Sequence, residues 1–314
     1  MRFATFAHDG KRQSGIVADD RIHAFEHPVE LMDLIVEGEK CLREAGERAL
    51  TGSLPVPVAD VRLLPPLRPP AVRDYMTFES HVAGVARGYG DTVPEEWYTA
   101  PAFYFTNPYS VIGAHDDVPV PPGCLRFDYE LEVAAVIGKA GRDLTPEQAR
   151  EHIIGYTVLN DWSARDLQGR EMRVKLGPAK GKDTATTLGP WLVTTDELEP
   201  RRNAEGFLDL ALTVQVNGET TGRDRLANMA WTFEEMAAYA SRGTWIRPGD
   251  VLGSGTCGNG GCLAELWGRG GTLQPPPLIP GDTVTMTVEG IGTLSNTVVE
   301  GVPPVRLPPA RRRQ

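Results

Sequence analysis

The sequence predicts an α+β protein that is mainly β, and three observations carry that expectation. Strand-like apolar stretches of three to nine residues recur along most of the chain. Turn formers separate them, with 34 Gly and 26 Pro in 314 residues. Helical periodicity is confined to a few segments, two of which open with capping boxes.

Residues 1–62 read as a small α+β unit. Short strands surround the turn signals His8-Asp9-Gly10 and Ala18-Asp19-Asp20, and a helix is expected over 29–50, with Leu31, Ile35, Leu42 and Ala45 on its apolar face. Pro65, Pro66, Pro69 and Pro70 stiffen a connector over 63–70. A β-rich domain is expected over 71–308, and residues 309–314 read as a basic tail. Within the larger domain, 103–105, 130–137, 156–159, 208–216, 283–288 and 292–299 are strand candidates, and Asn217-Gly218 and Glu289-Gly290 sit where hairpin turns belong. Thr145 with Gln148, and Thr232 with Glu235, have the spacing of capping boxes; the first helix should run to about Gly155.

Composition narrows the function. Apolar residues at 41% and charged residues at 24% fit a globular core and exclude a disordered chain. A net charge of −10 argues against nucleic acid or anionic lipid as a partner. No apolar run approaches the ~20 residues of a membrane span. The first residues lack a signal-peptide pattern, so the cytoplasm is the expected location. Cys41, Cys124, Cys257 and Cys262 form no Cys-x-x-Cys pair and are expected as free thiols.

Chemistry is concentrated in Phe127-Asp128-Tyr129-Glu130-Leu131-Glu132-Val133-Ala134-Ala135-Val136-Ile137. Residues two apart on a strand share a face, so Glu130 and Glu132 project together at the mouth of a buried strand. Two carboxylates so close raise one another's pKa, so either one stays protonated or a cation lies between them. Asp161 ends the next strand candidate and can reach the pair. Three hard oxygen ligands suit Mg²⁺, Mn²⁺ or Ca²⁺ better than zinc. Spacing alone leaves this open against an ordinary solvated strand face.

Residues 124–192 resemble the fumarylacetoacetate hydrolase family, with further similarity at 74–81 and 245–267. Asn160-Asp161-Trp162-Ser163-Ala164-Arg165-Asp166-Leu167-Gln168 is the most specific match; Asp128-Tyr129-Glu130-Leu131-Glu132 precedes it, and Leu176-Gly177-Pro178, Gly181-Lys182 and Thr186-Thr187 follow in the family's order. The resemblance implies a rolled mixed β-sheet, a Mg²⁺-type ion on Glu130, Glu132 and Asp161, and a homodimer. It also implies a small keto-acid substrate, positioned by Arg165 and Gln168; separately, the Gly-rich run 253–258 is expected to be a loop that carries Thr256 into the active site. His81 is then the general base, oriented by Glu265 from the segment after Ser254-Gly255-Thr256, and Lys182 stabilises an enolate. The expected reaction is hydrolysis of a C–C bond in a 1,3-diketo acid. Decarboxylation or isomerisation on the same ion is the alternative, and a non-catalytic keto-acid binder is a second.

Two departures stand out. Alignment on Phe78 puts Thr77 where fumarylacetoacetate hydrolase has a further Asp ligand, which leaves that ligand open between Thr77, Asp74 and neither. Gly84 stands where smaller members carry a Glu three residues after the His. A lid is expected over Gly84–Ala100, with Tyr89, Trp97 or Tyr98 turned to the substrate's tail. The G-x-G-x-x-G at Gly253–Gly258 lacks the helix and acid of a dinucleotide site. Gly177–Lys182 lacks the spacing of a phosphate loop, and no G-x-S-x-G elbow occurs.

Overall fold

Strand Leu131–Ile137 is buried along its whole length, because it lies inside a twelve-stranded mixed sheet. The computed structural model describes residues 1–88 and 90–312. Along the sheet run Val56–Pro57, Arg21–Ala24, Lys11–Ala18, Arg2–His8, Thr186–Thr194, Ile153–Asp161, Leu131–Ile137, Val251–Gly253, Val72–Tyr75 and Phe103–Thr106, with Arg62–Leu64 and Val111–Ile112 pairing off this path. Most pairs are antiparallel; Val251–Gly253 with Val72–Tyr75 is parallel, as is Thr186–Thr194 with Val111–Ile112. A five-stranded sheet packs beside it, built on Ala211–Val216, Glu219–Arg225, Thr283–Val288 and Gly292–Val299, with Val118–Pro119 at its edge. With eight α-helices among the described residues, the class is α+β and mainly sheet.

Strand alternation divides the interior in two. Leu131, Val133, Ala135 and Ile137 face one core, with Tyr156, Val158 and the five-stranded sheet. Ala134 and Val136 face the other, with Leu159, Leu188, Val251 and the N-terminal helices. The N-terminal strands edge the main sheet, their helices cover one of its faces, and Ala4, Phe6, Ile22 and Leu63 form a smaller apolar cluster of their own.

Both capping boxes are present. Asn217-Gly218 turns between Ala211–Val216 and Glu219–Arg225, and Glu289-Gly290 lies between Thr283–Val288 and Gly292–Val299. Two helix expectations need correction. The helix expected over 29–50 is two, Leu31–Glu37 and Glu39–Gly52, broken at Gly38 with φ +106°. The helix opened by Thr145 lasts only Pro146–Ala149, followed by a 3₁₀ turn, because Ile153 already begins the neighbouring strand. The tail described to residue 312 is exposed and without regular structure; Arg313 and Gln314 lie outside the described residues.

Candidate active site

One face of the sheet collects acidic side chains from neighbouring strands. Leu131 pairs with Asn160 and Glu132 with Leu159, so Glu130 stands opposite Asp161 with Glu132 one pleat further in. Val251–Gly253 comes next, then Val72–Tyr75, where Asp74 pairs with Gly253, then Phe103–Thr106, where Tyr104 pairs with Asp74. Gly253 leaves the room these groups need: a Cβ there would lie 2.5 Å from Asp74 Oδ1 and 2.9 Å from Glu132 Oε2. Oxygens of Asp74, Glu130 and Glu132 all lie within 4.8 Å of one another.

Sequence reasoning missed Asp74 as a firm member of this set, and Thr77 does not belong to it. Thr77 Oγ1 is buried and donates to Ser254 O at 2.6 Å. Tyr104 was also missed: its hydroxyl donates to Asp74 Oδ2 at 2.8 Å and also contacts Asp161 Oδ2. The sequence marks Phe103-Tyr104-Phe105 as a strand candidate, but the pairing that sets Tyr104 against Asp74 is non-local and leaves no signal there.

Two cations balance part of this charge. Lys182 Nζ donates to Glu130 Oε2 at 2.5 Å and to Asp161 Oδ2 at 2.7 Å, and is 3% exposed. Arg165 donates to Glu130 Oε1 at 2.7 Å, to Asp128 Oδ2 at 2.8 Å and to Gln168 Oε1 at 3.1 Å. Asp128 also accepts the backbone N–H groups of Leu263 and Ala264, and so ties helix Leu263–Gly270 to the site. Burial alone would raise the Glu130 carboxyl, but Lys182 and Arg165 outweigh it and hold the group down at about 2. Asp161 is pushed up to about 7 by burial and by Asp74 and Glu130, against the pull of Lys182. Glu132 is raised well above the usual carboxylate range by burial and then by Asp74, and Asp74 is raised by burial.

This donor set fits a divalent cation. Asp74 Oδ1, Glu132 Oε1 and Asp161 Oδ1 are buried and without a hydrogen-bond partner among the described residues. Orphaned buried carboxylate oxygens are costly, and three on one face of a sheet match the all-oxygen shell of Mg²⁺ or Mn²⁺.

His81 reaches the cluster from helix Glu79–Gly88. Its Nδ1 is 3.7 Å from Cys262 Sγ, and it groups with Glu130 and Cys262 within 4.8 Å. Burial lowers its pKa to about 4, so the ring is neutral at pH 7. The expected His81–Glu265 pairing is corrected. Glu265 accepts N–H groups from Asn259 at 2.9 Å and Gly260 at 3.2 Å and pairs with Arg269 at 2.5 Å; no hydrogen bond joins it to His81 among the described residues. It does fill the space beside Gly84, whose Cβ would lie 2.5 Å from Glu265 Cγ, so the late carboxylate occupies the place a side chain at 84 would take. Thr256 is 3% exposed in the loop where the Gly255 N–H donates to Glu132 Oε2 at 3.1 Å. Cys124 is buried and its thiol is pushed up to about 12, which makes it a poor nucleophile.

The segment expected as a lid is not one continuous loop. Gly84 and Gly88 lie inside helix Glu79–Gly88 and allow it to cross Gly268; a Cβ on Gly268 would lie 2.1 Å from Gly84 O. Trp97 is 4% exposed and donates to Met76 O at 2.7 Å, and Tyr98 OH donates to Glu79 Oε1 at 2.6 Å. Trp97 thus anchors the segment to the chain just before the helix and Tyr98 to the helix itself, and Tyr89 lies outside the described residues.

The description "Fumarylacetoacetate (FAA) hydrolase C-terminal" matches residues 71–299, and "Rv2993c-like, N-terminal" matches residues 1–66. The chain belongs to the fumarylacetoacetate hydrolase family. It is 35% identical to Protein Rv2993c of Mycobacterium tuberculosis over 246 residues, which cover 77% of this chain and 80% of that one. It is 32% identical to the human mitochondrial oxaloacetate tautomerase FAHD2A over 276 residues, covering 87% and 80%. A fumarylacetoacetate hydrolase from Exiguobacterium antarcticum superposes with a TM-score of 0.75 at 28% identity, over 96% of this chain and 99% of that one. A maleylpyruvate hydrolase from Sphingobium sp. SYK-6, in complex with manganese(II) ion and pyruvate, shares the fold with a TM-score of 0.72 at 23% identity, over 96% and 100%. Hydrolases, isomerases and tautomerases thus stand among the similar proteins. No helix among the described residues is long and apolar enough to cross a membrane.

Proposed function

We propose that the chain is a divalent-metal-dependent hydrolase that cleaves a C–C bond in a 1,3-diketo acid. The observation that carries this reading is the set of orphaned oxygens on Asp74, Glu132 and Asp161, beside a neutral buried imidazole. Asp74, Glu130, Glu132 and Asp161 would hold the ion, Mg²⁺ or Mn²⁺ by donor chemistry. When bound, it supplies a Lewis acid for the oxygens of the keto acid. Arg165, steadied by Asp128 and Gln168, orients the substrate carboxylate. His81 accepts a proton from water. The resulting hydroxide adds to the distal acyl carbon, the C–C bond breaks, and its electron pair leaves as an enolate. Lys182, buried and cationic, stabilises that charge. The proton taken up by His81 returns to the enolate carbon, so one water is consumed and two carbonyl products form.

A second reading, tautomerisation or isomerisation of a keto/enol acid, is favoured by one observation: Glu265 is committed to the Asn259 and Gly260 amides and to Arg269, not to His81. Proton transfer without attacking water does not need that pairing. A panel of acylpyruvates and oxaloacetate, assayed with Mg²⁺ and then with chelator, tests both. Hydrolysis should depend on the ion and fall at least ~100-fold in His81→Asn, the usual scale of a lost general base. Metal-dependent tautomerase activity without cleavage would select the second reading. Full activity in chelator would sink both. By family resemblance the active form is a homodimer, which light scattering would test.

A further inference from the structure

Three buried side chains with different donor atoms meet at the edge of the carboxylate cluster. His81 comes from helix Glu79–Gly88, Cys262 caps helix Leu263–Gly270, and Glu130 stands just ahead of strand Leu131–Ile137. One ligand atom from each lies within 4.8 Å of the others. Their chemistry differs from that of the carboxylate set, because a sulfur and a ring nitrogen join a single carboxylate. Thiolate with imidazole suits Zn²⁺, not Mg²⁺. At a tetrahedral ion, Zn–S bonds of ~2.3 Å and Zn–N bonds of ~2.0–2.1 Å put the two ligand atoms ~3.6 Å apart. Cys262 Sγ lies 3.7 Å from His81 Nδ1. The sulfur also accepts the Glu265 N–H at 3.4 Å, an outer hydrogen bond of the kind that holds a metal-bound thiolate in place. Burial keeps the free thiol protonated, so an arriving ion displaces that proton to solvent. Glu130 Oε1 accepts from Arg165 and Oε2 from Lys182, and each oxygen keeps a lone pair for a metal.

We propose that His81, Cys262 and Glu130 form a second metal site, for a thiophilic divalent cation of the Zn²⁺ class, whose filling shuts the reaction off. A neutral imidazole has one nitrogen lone pair, and once an ion holds it His81 has none left to accept a proton from water. That inhibitory consequence rests on the function proposed above, whereas the site itself does not. Cd²⁺ is the probe, because its bond to a thiolate gives an ultraviolet charge-transfer band. One Cd²⁺ per metal-free chain should produce the band. Cys262→Ser should abolish it, although Cys41, Cys124 and Cys257 remain, and serine preserves the helix cap. His81→Asn should weaken Cd²⁺ binding at least ~100-fold, since losing an outer partner alone costs about 10–100-fold. Mn²⁺ binding, read by electron paramagnetic resonance, should be the same in Cys262→Ser as in wild type. No band in wild type, a band that survives Cys262→Ser, or Mn²⁺ binding lost with Cys262 would overturn the second site. Turnover with excess Mg²⁺ that is unchanged at full Cd²⁺ occupancy would overturn its inhibitory role. A Cd²⁺ band from a wild-type chain that binds no Mn²⁺ would sink the function proposed above and leave this site standing.

Discussion

Asp161→Asn should make the metal-free protein more stable at pH 8, although it removes a buried ion pair. The Asp161 carboxyl is held at about 7 by burial, Asp74 and Glu130, against an ordinary value of 3.8. Ionising it inside the fold therefore costs roughly 4 kcal/mol relative to the unfolded chain. Lys182 is not the source of this cost. Asp161 helps to hold the ammonium charged, so the pair is attractive and already offsets part of the burial. Asparagine keeps the shape and removes the charge. Its new amide N–H group falls where Oδ1 has no partner, a penalty of about 1–3 kcal/mol. The balance is a gain of roughly 1–3 kcal/mol, or ~2–6 °C in Tm. A raised folded value means that stability is full below the unfolded value and is lost as pH rises through about 7. The advantage of the variant should therefore vanish or reverse near pH 4. Urea unfolding of chelator-treated wild type and variant at both pH values provides the assay. A variant less stable than wild type at pH 8, or an equal difference at both pH values, would refute the reasoning.

Other consequences follow from the same geometry. Mn²⁺ affinity should rise with pH through about 7 and binding should release protons, since Asp161 must ionise to act as a ligand; calorimetry in buffers of different ionisation enthalpy reads this directly. Gly253→Ala places a methyl group against Asp74 and Glu132 and should weaken Mn²⁺ binding ~10–100-fold with the fold retained by circular dichroism. Gly268→Val should destabilise the fold by about 1–3 kcal/mol, because its side chain meets Gly84 O; an unchanged Tm would show that the helix carrying His81 is not held by that crossing.

Local periodicity made part of this site legible. The two-residue repeat placed Glu130 and Glu132 on one face, and the adjacent strand ending at Asp161 pairs with theirs over a short connection. Asp74 was hard to read because its neighbour in the sheet is Gly253, far along the chain and joined by a parallel pairing that no local pattern announces. Tyr104 enters through the same non-local pairing. The lid expectation read Gly84 and Gly88 as loop breakers, whereas inside the helix a Cβ on Gly84 would meet Glu265 Cγ at 2.5 Å and one on Gly88 would meet Gly268 Cα at 3.1 Å. Glu265 lies beside the helix of His81, but its oxygens accept from the amides of residues 259 and 260, a contact that the family pattern does not announce. Turn pairs such as Asn217-Gly218 and the capping boxes were legible because each is closed by neighbours within four residues.

The central claim is that Asp74, Glu130, Glu132 and Asp161 form one divalent-cation site. An electron paramagnetic resonance titration with Mn²⁺ at pH 8, on wild type, Asp74→Ala and Glu132→Ala, tests it most directly. The account predicts one bound ion per chain in wild type, and a loss of at least ~100-fold in affinity in each folded variant, about 2.7 kcal/mol. Mn²⁺ that stays free in the presence of wild type, or that binds both variants as tightly as wild type, would contradict it.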